Sequence, residues 1–67
     1  MNFIQLTDNE LKTPIYVSIE AICAIYSHRD GSTMVELKSG EHHWISEEPE
    51  KIMETIETIV LINNINH

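Results

Sequence analysis

Thr33-Met34-Val35-Glu36-Leu37-Lys38-Ser39-Gly40-Glu41-His42-His43-Trp44-Ile45-Ser46-Glu47-Glu48-Pro49 decides the reading of this chain. Its first six residues alternate: Thr33, Val35 and Leu37 fall on one side, Met34, Glu36 and Lys38 on the other. That period of two marks a half-buried strand. Ser39-Gly40 is a tight turn. Residues 41–45 form a second strand. Ser46 then suits a helix N-cap, and Pro49 is tolerated in a first helical turn, where its missing N–H has no intrahelical partner. Glu47, Glu48 and Glu50 place negative charge at the positive end of the helix dipole. Beyond them, Ile52, Met53, Ile56, Ile59 and Val60 recur at helical spacing, which predicts a helix over 47–62 and a tail over 63–67. Asn63 or Asn64 is available to close that helix.

Upstream, Arg29-Asp30-Gly31-Ser32 carries the Asp-Gly hairpin signal. It predicts another strand over 23–28, so that three strands form a meander. Residues 2–7 alternate as a first strand. A polar turn follows over 8–14, and Ile15-Tyr16-Val17 reads as the hairpin partner. Ser18 to Ile22 reads either as a continuation of that strand or, the favoured reading, as a single helical turn with Ser18 as its cap and Ile19 and Ile22 inward. The expected architecture is α+β: one domain over 1–67, with a five-stranded, mostly antiparallel meander sheet or small barrel followed by one C-terminal α-helix.

Sorting by period two gives two faces. Ile4, Leu6, Ile15, Val17, Ile25, Val35, Leu37 and Ile45 make an aliphatic face for the helix stripe of Ile52, Ile56 and Ile59 to cover. Phe3, Tyr16, Met34 and Trp44 lie on the other face with Glu36, His42 and the neighbouring Tyr26, and no second helix remains to cover them. Aromatic and Met side chains on an uncovered face are the composition of an interface core. A sheet curled onto itself, or a small-ligand surface, are the other readings. Ile59-Val60-Leu61-Ile62 is apolar all round, so Leu61 or Ile62 is expected to point away from the home core, to meet another subunit or to cover the sheet edge.

The size of the chain supports association. With 67 residues it buries only about 60% of the surface its unfolded form exposes. One cysteine excludes an internal disulfide framework, and no Cys/His group has structural-zinc spacing. Self-association is the remaining source of stability. The formal net charge of -7, from eleven acidic and four basic residues, argues against binding DNA or RNA phosphates or an anionic membrane. The N-terminal residues lack the pattern of a signal peptide, which gives a cytoplasmic expectation.

No catalytic constellation, cofactor motif or metal site is expected. His42 and His43 are strand neighbours and point to opposite faces. Cys23, between Ile22 and Ala24, is expected to be a buried thiol without an activating base. Gly31 and Gly40 are isolated turn glycines rather than a phosphate loop. About half of the acidic residues fall at or after Glu41, and Glu47, Glu48, Glu50 and Glu54 form a candidate acidic patch.

Residues Phe3-Ile4-Gln5-Leu6-Thr7, Ile15-Tyr16-Val17, Ile19 to Ile25, Thr33 to Gly40, Ile45-Ser46-Glu47-Glu48 and the closing helix together resemble the FlbD family, over about residues 3–58. That resemblance implies a strand-rich fold and a role in bacterial flagellar gene control and swarming. Residues 16–57 also look like the later strands and helix of LytTR-type DNA-binding domains. Such domains present basic residues to DNA, whereas this stretch holds only Arg29, Lys38 and Lys51.

The reading therefore expects a small non-enzymatic regulatory protein that binds protein, itself included, as a homo-oligomer. The alternatives are an acidic phage-type inhibitor that mimics nucleic acid to block a nucleic-acid-handling protein, and an oligomer holding a small nucleotide-like ligand between subunits.

Overall fold

A computed structural model describes residues 2–65. Five strands precede one helix: β1 (Phe3–Thr7), β2 (Pro14–Ser18), β3 (Ile22–Ser27), β4 (Thr33–Leu37), β5 (His42–Ile45) and α1 (Pro49–Ile65), with a 3₁₀ turn at Ile19–Ala21 between β2 and β3. The α+β class holds, but the five strands do not form one sheet. β1 and β2 pair as an antiparallel hairpin, and β3, β4 and β5 form a separate antiparallel meander.

The division has a local cause. The end of β1 meets β5 through one bridge, Asp8 to Ile45. The Ser46 N–H donates to the Thr7 carbonyl and the Asn9 N–H to the Trp44 carbonyl, both at 2.9 Å. The ladder then stops, because the Glu47 carboxylate takes the next donor, the Thr7 N–H, at 2.9 Å. On the other side the 3₁₀ turn separates β2 from β3. Ser18 occupies its N-cap position but makes no side-chain cap bond there.

The aliphatic face is the core. Ile4, Leu6, Val17, Val35, Ile45 and Ile52 are buried, and Ile15, Ile19, Ile22, Ile25, Leu37, Ile56 and Ile59 pack against them. Alternation and helical spacing thus select the same residues that the fold buries. Thr33, next to this cluster, is buried as well.

The helix begins and ends later than its sequence signals. The Glu48 carbonyl accepts the Ile52 N–H at 3.1 Å, which makes Glu48 the half-helical residue and puts Pro49 first in the helix. Ser46 is not the cap; its hydroxyl bonds Asn9 Oδ1 at 3.1 Å. At the far end Asn63 does not close the helix, which runs through Ile65. Asn63 follows Ile52, Ile56 and Ile59 on the inward stripe, and its amide donates to the Asn2 side chain beside β1. A tertiary partner thus takes the residue that the sequence offers as a stop signal. Of the expected tail, residues 66 and 67 lie outside the described residues.

The turn at residues 8–13 is organised by Asp8, whose carboxylate accepts the N–H groups of Glu10 at 2.9 Å and Leu11 at 2.8 Å. Lys12 closes it at φ 58°, in the left-handed region. A side chain with a Cβ is strained there by about 1 kcal/mol, and glycine is not. Lys12→Gly should raise stability by about 0.5 kcal/mol after its own chain-entropy cost, visible as a higher melting temperature; an unchanged or lower value would contradict the strain.

Candidate interaction surface

Register across the meander builds the outward face. Tyr26 pairs with Met34 and Met34 with Trp44, so these three side chains form one cross-strand row. The next row is Ala24, Glu36 and His42. Tyr26 and Trp44 are 42% and 46% exposed. Met34, between them, is half-buried. The His28 ring sits on Trp44 with centroids 4.9 Å apart, tilted by 54°. The hairpin carries its own pair. Phe3 faces Ser18 and Tyr16 faces Gln5, so the two rings are diagonal neighbours on the outward side, 52% and 66% exposed. The four aromatic and Met residues singled out by the sequence are therefore held as two couples, Met34–Trp44 on one sheet and Phe3–Tyr16 on the other. Sequence reasoning left Tyr26 at the margin and missed His28. The Asp30-Gly31 turn, which folds His28 back over β5, is the signal that could have found it.

The polar row is internally bonded. The Tyr26 hydroxyl donates to Glu36 Oε1 at 2.9 Å. That bond, and then the charge of the same carboxylate, hold the Tyr26 pKa above its ordinary 10.0. His42 Nε2 lies 3.7 Å from Glu36 Oε2, and on the opposite side of β5 His43 Nε2 lies 3.7 Å from Glu41. His42 and His43 thus lie beside different carboxylates, and no group of three or more His, Cys, Asp or Glu placed to hold a metal is found among the described residues. In the 28–32 loop, the Ser32 hydroxyl and then its N–H donate to Asp30, which lowers the Asp30 pKa.

Leu61 and Ile62 are 59% and 51% exposed. At about 100° per residue, Leu61 lies opposite the inward stripe of Ile52, Ile56, Ile59 and Asn63, while Ile62 lies on its flank. Glu50, Glu54 and Glu57 share the outward side with Leu61.

The acidic patch is corrected in one member. Glu47 is half-buried and accepts both the N–H and the hydroxyl of Thr7, at 2.9 and 2.8 Å. It is a structural tie across a separation of 40 residues rather than a free surface charge. Glu48, Glu50 and Glu54 are exposed.

Cys23 is a second correction: its thiol is exposed. Ile22 pairs with Leu37 and Ala24 with Glu36, so Cys23 is the extra residue of a β-bulge. The bulge lets both Ile22 and Ile25 face the core and leaves the residue between Ile22 and Ala24 outside.

No helix among the described residues is long and apolar enough to cross a membrane. No protein-family model matches the chain, and no curated protein or solved structure matches it significantly.

Proposed function

We propose that this chain is a small regulatory protein of a bacterial or phage-infected cell that works by binding protein, without catalysis, and that its first partner is a second copy of itself. The observation that carries this reading is the outward Tyr26–Met34–Trp44 row, with Phe3 and Tyr16 on the hairpin beside it. A 67-residue chain that leaves three aromatic rings more than 45% exposed has apolar surface to bury and little core to spare.

Trp44 is the single tryptophan, so its emission reports this face alone. Serial dilution should shift the emission to longer wavelength as the indole passes from an interface into water. A spectrum that does not change with concentration would count against association through Trp44.

A second reading is favoured by the outward helix side, where Glu50, Glu54 and Glu57 recur at helical spacing. Here the protein presents a line of negative charge to a basic nucleic-acid-binding groove. Such binding weakens steeply with salt and with replacement of those three residues by Gln. Binding through the aromatic face resists salt and is lost on Trp44→Ala.

A further inference from the structure

β3 is the outer strand of the meander, with β4 on one side and no strand on the other among the described residues. The His28 N–H donates to the Ser32 carbonyl at 3.0 Å. Alternation from that bond puts Tyr26 and Ala24 in the hydrogen-bonded pairs and turns the main-chain groups of Ile25 and Ser27 to the free edge. Ile22–Ser27 has no charged side chain, and charge is the common device that keeps an edge from accepting another strand. The other outer strand, β2, is blunted by Pro14 at its start.

Two pockets lie between β3 and the first turns of α1, and Pro49 borders both, so together they outline a groove. The first, about 410 Å³, is apolar, with walls that include Ile22, Cys23, Ile25, Met53 and Ile56. The second, about 330 Å³, is lined by Ser27, Gly31, Glu48 and Glu50. Among the described residues, the only cation–carboxylate approaches within 4 Å are His42 to Glu36 and His43 to Glu41, and neither involves Glu48 or Glu50.

We propose that this groove takes an extended peptide segment of a partner protein, added as a strand to β3. Apolar side chains at alternate positions fill the Ile22–Ile25 end, and a Lys or Arg lies against Glu48 and Glu50. Charge selects this occupant over a second copy. An antiparallel copy centred on Ile25 brings its own Ile19 and Glu20 toward Glu48 and Glu50, which adds a like charge and supplies no cation. The groove is separate from the Met34–Trp44 and Phe3–Tyr16 couples, so the proposal does not depend on self-association.

The test pans the full chain against a displayed library of random 12-residue peptides and measures the selected peptides by fluorescence anisotropy. Selection should converge on alternating apolar residues with Lys or Arg toward one end. Affinity should fall at least about tenfold in Ser27→Pro, which blocks the edge without removing a bond to β4, and in the double variant Glu48→Lys, Glu50→Lys. Exchanging the basic residues of the peptide for Glu should abolish binding to the original chain and restore it to the double variant. Alkylating Cys23, the one thiol of the chain, with N-ethylmaleimide should also block binding. Should Ser27→Pro fail to fold, the double variant and the alkylated protein decide the matter. Selected peptides without that pattern would overturn the proposal. So would unchanged affinity in a double variant whose circular dichroism matches the original.

Discussion

Ile52→Ala should cost about 2–5 kcal/mol, the usual range for truncating a buried isoleucine. Among the described residues of α1, Ile52 alone belongs to the buried core, 1% exposed, with Ile4, Leu6, Val17, Val35 and Ile45. Ile56 and Ile59 touch that cluster only from its margin. Truncation at 52 therefore opens a void where the helix meets both sheets. A domain of this length has a total stability of about 3–10 kcal/mol at the usual amount per residue, so the loss takes a large share of it. Chemical denaturation followed by circular dichroism should show a midpoint far below that of the original chain, or a variant already unfolded in buffer. Glu54→Ala, on the exposed side of the same helix, should stay within about 0.5 kcal/mol. Equal effects at the two positions would mean that α1 is not anchored through Ile52.

Glu47→Ala carries the second largest expected effect, about 1–3 kcal/mol, the cost of leaving a partly buried donor unpaired. The side chain holds the Thr7 N–H and the Thr7 hydroxyl together, and so closes the corner where β1 meets β5 and the chain turns into α1. Glu47→Gln should recover part of the loss, because its amide oxygen still accepts the N–H while its amide nitrogen donates to the hydroxyl. Glu48→Ala, one residue on and exposed, is the control and should be near neutral. Amide hydrogen exchange at Thr7 reads the effect locally and should accelerate in Glu47→Ala alone. If Glu47→Ala and Glu48→Ala are equally mild, the carboxylate is a surface charge and not a tie.

These two residues also mark what a one-dimensional reading recovers. Ile52 was legible, because its helical spacing and the alternation of Ile4, Leu6, Val35 and Ile45 are properties of neighbours in the chain. The turns were legible for the same reason: Gly31 and Gly40 take φ values of 88° and 94°, which favour glycine. Glu47 was not. Beside Glu48 and Glu50 it looks like one more charge at a helix start, and its partner lies 40 residues away. Nor does anything in Ile22-Cys23-Ala24-Ile25 announce a bulge; it arises because two isoleucines an odd number of positions apart both face the core. The ladder between β1 and β5 likewise ends where this carboxylate takes the Thr7 N–H, a contact that no neighbour in the chain announces. Alternation put Phe3, Tyr16, Met34 and Trp44 on one face, and each is exposed or half-buried, but their grouping into couples depends on cross-strand register, which no local pattern supplies.

The most direct test of the account is the absolute mass in solution, by light scattering behind a sizing column, across a range of concentration and salt. The account predicts at least twice the 7.7 kDa of one chain, little affected by salt, and 7.7 kDa for the double variant Tyr16→Ser, Trp44→Ser with its circular dichroism retained. A well-folded chain that stays at 7.7 kDa at every concentration would contradict it.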